Sequence, residues 1–224
     1  MSNIILEAKN VCKSFGKREK KQIVLNNMNL TVNKGSMIAI KGKSGNGKST
    51  LLNILALMMM ADSGNVLYNG IDLQQLSNSE RAKYRKECIG YIPQNLYLLD
   101  DRNVYMNIAL PLQYAGENKN IIKKKVYSIA EEFDITHLLY KKSHMISRGE
   151  KQRVAICRSI IKMPEILFAD EPTGSLDEEN EKIVLRMFEN LRKAGTTVVL
   201  TTHDDTVASM CDTVYNLVRP DHKL

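Results

Sequence analysis

Residues 42–50 read GKSGNGKST and follow the short apolar run MIAI at 37–40. No other stretch of the chain limits its possible folds as much. Glycines at 42, 45 and 47 let the backbone bend so that successive N–H groups converge. A lysine and two hydroxyl residues follow at once: Lys48, Ser49 and Thr50. The pattern G-x-x-x-x-G-K-[ST] needs a strand before it and a helix after it, so that the loop and the positive helix end face one anion. Both neighbours are present, since MIAI reads as a buried strand and 48–60 as a helix. Ser44 and Asn46 complete the loop. Lys48 is expected on β- and γ-phosphates and the Ser49 hydroxyl on Mg²⁺.

The rest of the chain repeats the strand–loop–helix scheme. ILFA at 166–169 precedes DEPTG, and TVVL at 197–200 precedes TTHDD. Short continuous apolar runs of this kind read as strands of a parallel sheet buried on both faces. Helical stretches are expected at 48–60, 120–133, 149–162 and 178–194, the last stopped by Lys193 and Gly195. The opening differs. IILEAKNVCKSF and QIVLNNMNLTV read as antiparallel strands around a charged turn, and SGNVLYNG at 63–70 as a further strand. The middle, about 98–160, reads as mostly helical. The fold class is therefore α/β: a mainly parallel sheet flanked by helices, with an N-terminal antiparallel part and a helical insert.

Composition narrows the class further. The chain has 224 residues, 43% apolar and 25% charged, enough for one substantial core. Its longest apolar run, ILALMMMA at 54–61, falls far short of the ~20 residues that cross a bilayer. MSNIILEAKN lacks the basic and apolar segments of a secretory signal, and a cytosolic protein is expected. Cys12, Cys88, Cys157 and Cys211 are scattered without a CxxC pair and read as reduced apolar side chains. The net charge of +7 comes in short runs, KREKK at 17–21, KKK at 123–125 and KK at 141–142. With no zinc finger and no RNA-binding aromatic signature, these read as solvated faces, and no nucleic acid is expected.

Four further sites carry chemistry. Asp170 and Glu171 end the strand ILFADE, where one acid can hold Mg²⁺ and the next can activate water. The competing reading is a helix N-cap pair. His203 follows the strand TVVLTT, where a neutral imidazole can donate to a γ-phosphate. Gln94 follows the short strand IGYIP at the entry to the helical insert, as a candidate sensor on Mg²⁺ or water. ISRGEKQR at 146–153 contains a capping box, Ser147 with Glu150, which starts a helix. Arg148 puts a cation at that helix start, where the macrodipole is already positive. It is either solvated at small cost or placed for an anion.

The set GKSGNGKST, Gln94, ISRGEKQR, ILFADE, GSLD at 174–177 and His203 resembles the ATP-binding cassette subunits of ABC transporters, in order and spacing, over nearly the whole chain. The resemblance implies a P-loop NTPase core at 1–97 and 161–224 and an insert at 98–160, all within one nucleotide-binding domain, 1–224. It implies ATP and Mg²⁺ as ligands, with metal contacts from Ser49, Asp170 and Gln94. Glu171 becomes the catalytic carboxylate, His203 the switch histidine, Ser175 to Asp177 the D-loop, and Phe15 an adenine-stacking aromatic. The competing reading of Phe15 is one more core residue. Ser147 and Gly149 belong to the signature loop, usually LSGGQ, which closes over ATP held by a second subunit. Ile146, Arg148 and Glu150 depart from that pattern, and Arg148 would then meet the partner's phosphate.

The resemblance also implies a pair of such subunits, expected to be a homodimer, on a transmembrane permease at the inner face of the membrane. NIALPLQYAG at 107–116, GIDLQQLS at 70–77 and EPTGSLD at 171–177 are similar to the subfamily of macrolide exporters, lipoprotein-release systems and antimicrobial-peptide exporters. Met106 replaces the Glu frequent there. The alternatives are a cell-division-type membrane scaffold and a DNA-associated repair ATPase. The latter usually carries coiled-coil or zinc-bearing inserts, absent here.

Overall fold

A computed structural model describes residues 3–16 and 21–218. Two long strands come first, β1 (Ile4–Phe15) and β2 (Gln22–Asn33), paired antiparallel. The charged turn expected between them falls mostly at 17–20, outside the described residues. β3 (Met37–Lys41) leads into the glycine loop and α1 (Lys48–Leu55). β4 (Ser63–Tyr68) and the two-residue β5 (Ile71–Asp72) finish the antiparallel sheet in the order β2-β1-β4-β5. α2 (Asn78–Glu87) precedes β6 (Ile89–Ile92). Then come α3 (Val104–Tyr114), α4 (Lys119–Glu132) and α5 (Arg148–Ile160). β7 (Ile166–Asp170), α6 (Glu178–Lys193), β8 (Thr197–Thr202), α7 (Asp205–Ser209) and β9 (Thr213–Asn216) complete the chain.

β6, β7, β8, β3 and β9 form a second, wholly parallel sheet in that order. Its strands read as continuous apolar runs because both faces are covered. Alternate residues go to opposite sides. Met37, Ala39, Leu167, Ala169, Val198 and Leu200 join α3 to α6 in one core. Ile38, Ile40, Ile166, Phe168 and Val199 join α1 and the antiparallel sheet in the other. The parallel sheet is thus held between two apolar layers, and its carboxyl-terminal edge is left for loops.

One expectation is corrected. The helix after the glycine loop ends at Leu55, not near residue 60. Leu57 adopts φ 59°, and Asn53 O accepts from the N–H groups of both Met58 and Met59, which closes the turn early. The apolar pattern of the sequence does not single out α2, α7 or β9. For α2 the signal was present, because Ser77 and Glu80 form a capping box like that of Ser147 and Glu150.

Candidate nucleotide site

The carboxyl ends of β3, β7 and β8 bring Lys48, Asp170, Glu171 and Thr201 together. Gly47, with φ 94°, starts α1; a Cβ there would lie 2.6 Å from Val24 Cγ1, so only glycine fits. Lys48 is 5% exposed, and its ammonium donates to Gly42 O at 2.8 Å and Lys43 O at 3.3 Å. It also pairs with Glu171 Oε1 at 3.0 Å. Beside this pair, Ser49 Oγ donates to Asp170 Oδ1 at 3.1 Å.

Thr201 organises both acids. Its hydroxyl donates to Asp170 Oδ1 at 2.6 Å and accepts the Glu171 N–H at 2.8 Å. Glu171 sits at φ 45°, a left-handed conformation that costs a non-glycine residue roughly 1–2 kcal/mol. Neither Asp170 nor Glu171 caps a helix; the N-cap of α6 is Asp177. His203 Nδ1 lies 3.5 Å from Glu171 Oε2, with the imidazole largely exposed. The Glu171 carboxyl therefore stands between Lys48 and His203.

A cavity of about 300 Å³ opens on this cluster, lined by Ser44, Gly45, Gly47, Lys48, Ser49, Thr50, Gln94 and Glu171, with Val24 on its wall. Gly42 and Asn46 do not line it. They border a neighbouring cleft, where Asn46 Nδ2 donates to Leu217 O at 2.9 Å. Phe15 also stands outside the cavity wall. It is 42% exposed at the end of β1, with Lys13 Nζ 5.6 Å from its ring centroid, and is not a core residue.

The serine hydroxyl, one carboxylate and an amide oxygen from Gln94 make a hard-oxygen donor set that fits Mg²⁺, which takes one or two protein carboxylates and completes its shell with phosphate and water. Among the described residues no cluster of three His, Cys, Asp or Glu side chains offers a self-contained metal cage.

Ser147, Gly149 and Asp177 lie away from this cavity. Ser147 caps α5 through Glu150 N at 3.2 Å, and the Glu150 carboxylate returns to Ser147 N at 2.6 Å. Asp177 caps α6 and takes 2.9 and 2.8 Å bonds from Asn180, which hold its carboxyl below the ordinary value. A Cβ on Gly149 would fall 2.1 Å from Asn180 Oδ1, so the two helix starts touch there. Ser147, Arg148 and Asp177 are exposed.

Sequence reasoning missed four residues of this assembly. Val24 is an ordinary apolar strand residue by pattern. Thr201 and Asn180 are single polar residues whose partners lie far along the chain or across a helix boundary. Arg158 donates to Leu96 O at 2.5 Å and Tyr97 O at 2.8 Å, tying α5 to the segment after Gln94. Burial lowers its pKa. None of these signals was local.

Residues 25–174 match the family described as "ABC transporter". The chain belongs to the ABC transporter family. It is an ATP-binding cassette of that family, as the order of its motifs implied. It is 37% identical over 98% of its length to the lipoprotein-releasing system ATP-binding protein LolD of Treponema denticola, covering 97% of that protein. It is 35% identical over 93% of its length to the macrolide export ATP-binding/permease protein MacB of Campylobacter jejuni, but spans only 32% of that longer chain. Its fold matches the dimeric bacterial ABC transporter cassette MJ0796 with a TM-score of 0.89 and 30% identity, over 95% of this chain and 94% of that one. That cassette is also known as a dimer in a post-hydrolysis state bound to ADP and Pi.

Proposed function

We propose that this chain hydrolyses ATP with Mg²⁺ as one of two identical cassettes that drive a membrane permease of the exporter type, for a peptide, lipoprotein or drug-like cargo. The observation that carries the reading is the interlocked cluster of Lys48, Glu171, Asp170, Ser49 and Thr201 at the edge of the parallel sheet. LolD and MacB, similar over nearly the whole cassette, support the subfamily.

The Glu171 carboxylate occupies Lys48 as a phosphate oxygen would. ATP binding replaces one anion by another on the same ammonium, which leaves Glu171 free to orient and deprotonate a water. Lys48 and the loop N–H groups hold the charge that develops on the γ-phosphoryl oxygens. Ser49, Asp170 and Gln94 would hold Mg²⁺, which when bound would supply further positive charge to the site. His203, beside Glu171, donates to the γ-phosphate. Thr201 keeps both acids in place.

Ser147, the Gly149 N–H and Asp177 serve the nucleotide held by the second copy, with Phe15 against the base of its own. This explains why they are positioned by caps yet lie outside the cavity. This chain offers a surface suited to a permease. Ile89, Tyr91, Leu110, Pro111 and Tyr114 line a groove of about 290 Å³ beside Arg158. Tyr97, 71% exposed, stands on the segment that Arg158 fixes just after Gln94. Apolar side chains left in water at this point suit a partner. Through that partner the cassette lies at the inner membrane face.

Glu171→Gln tests the reading. It keeps a hydrogen-bonding side chain but removes the base, so hydrolysis falls by about 10²-fold or more. The variant is expected to form a stable dimer at millimolar ATP and a monomer without it, seen by size-exclusion chromatography with light scattering. A variant that binds nucleotide yet stays monomeric overturns the pairing.

A further inference from the structure

The first half of α4 carries Lys119, Lys123, Lys124 and Lys125, all exposed, and no acid in its first turn. Cations there oppose the helix macrodipole and one another. Among the described residues none of the four has a hydrogen-bond or ion-pair partner. The carboxylates of the same element lie at its other end, Glu131 and Glu132, with Glu117 just before it. This arrangement leaves an uncompensated positive patch at one end of the helix.

Apolar side chains stand at the same place. Ile121 is 44% exposed and Met163 84% exposed. Together with Lys124, Lys125, Ile129, Leu191 and one acid, Glu132 at the far end of α4, they border an open, largely apolar groove of about 590 Å³. Met163 holds φ 56°, in a turn closed by its own N–H on Ile160 O at 2.7 Å. Glycine or asparagine would sit there more cheaply. A strained backbone therefore presents a methionine to solvent, between a lysine and a proline.

We propose that the start of α4 and the 162–163 turn form a contact surface for anionic lipid headgroups. Lysine stems with free ends suit a fluid array of phosphates, whereas a folded acidic ligand is commonly met by the fixed forks of arginine. Protruding isoleucine and methionine side chains fit the boundary between headgroups and acyl chains. The proposal rests on the reading that places this cassette beside a membrane, yet its test contains no permease, so the two fail separately.

The experiment is co-sedimentation of the full chain with vesicles of phosphatidylcholine alone or mixed with phosphatidylglycerol, over a salt series. Binding is expected only with phosphatidylglycerol and weakens as salt rises. The variant K119Q/K123Q/K124Q/K125Q loses about tenfold or more in partitioning. Its ATP hydrolysis is unchanged, which shows that it is folded. Met163→Gly relieves the strained turn, so it folds at least as well, yet binds the anionic vesicles less. Equal sedimentation with both vesicle types, or binding untouched in both variants, overturns the proposal.

Discussion

Two corners of this cassette carry the residues that its motifs single out, and they are built on opposite lines. At the phosphate loop the charged groups already have partners inside the chain: Lys48 with Glu171, Ser49 with Asp170, and Thr201 with both acids. At the starts of α5 and α6 the caps are made, but Ser147, Arg148 and Asp177 face solvent. The first corner is preorganised for an anion that replaces Glu171 on Lys48. The second is a rigid platform whose ligand comes from outside. On the proposed reading, a chain with one half-site closed and the other open is completed by a second copy, each open platform meeting the other's closed corner.

The sharpest way to break the first corner is Thr201→Val. The valine keeps the shape but removes the donor to Asp170 and the acceptor for the Glu171 N–H, both at a buried position. The Glu171 N–H loses its partner and Asp170 keeps only Ser49, at a cost of about 1–3 kcal/mol of stability. Hydrolysis is expected to fall by roughly 10²-fold as both acids lose their alignment. Thermal melting and steady-state phosphate release check the two parts. If Thr201→Val melts like the parent and hydrolyses at the parental rate, the interlock has no role.

The second corner is tested by Gly149→Ala. Its new Cβ would meet Asn180 Oδ1 at 2.1 Å, and Asn180 cannot turn away without giving up its bonds to Asp177. The two helix starts must separate or the α6 cap must break, at about 1–2 kcal/mol. ATP binding by the single subunit should stay within about twofold, because the phosphate loop is untouched, while cooperative hydrolysis falls about tenfold. Adding Asn180→Ala removes the obstructing atom and is expected to restore part of the loss, the signature of a coupled pair. Titration calorimetry for ATP and the rate against protein concentration separate the effects. Equal loss in the single and double variants would show that Asn180 is not what makes this position a glycine.

The contrast also explains what was legible in the sequence. The phosphate loop, the two acids and the Ser147–Glu150 capping box are local patterns with local causes, and each was found where expected. The sandwich of the parallel sheet followed from apolar runs such as ILFA and TVVL. What escaped depends on chain segments far apart. Thr201 acts on Asp170 and Glu171 from the neighbouring strand, Arg158 reaches back to Leu96 and Tyr97, and Asn180 meets Gly149 across a helix start. The length of α1 was misjudged because the apolar run 54–61 continues past a left-handed turn at Leu57 that burial alone does not signal.

A smaller effect sharpens the comparison at Arg148. This exposed cation opens α5, against the macrodipole. Arg148→Ala should stabilise the lone subunit by a few tenths of a kcal/mol. If the arginine meets the partner's phosphate, the same change raises the ATP concentration needed for pairing by about threefold to tenfold, since an exposed charge-assisted contact contributes roughly 1 kcal/mol. Light scattering of the Glu171→Gln background against ATP reads the shift. An unchanged or lowered midpoint would mean that the arginine is only solvated, or hinders closure.

The smallest effect concerns the end of β1, beside Phe15. Asp62 accepts from Lys13 Nζ, Ser14 N and Ser14 Oγ, each at 2.7 Å, and these bonds draw its pKa down from 3.8 to about 2. The folded state thus holds the charged carboxylate better than the unfolded chain does. The stabilisation is complete above pH 3.8 and is lost as pH falls from there towards 2. Because the Asp62 side chain is 41% exposed, solvent screening limits it to about 1 kcal/mol or less. Asp62→Asn should therefore lower stability slightly at neutral pH and flatten the acid limb of the melting curve. It should also loosen Ser14 and its neighbour Phe15. A variant that weakens ATP binding more than it weakens binding of inorganic phosphate would tie Phe15 to the base rather than the phosphates. Equal weakening of both would leave the end of β1 outside recognition of the base.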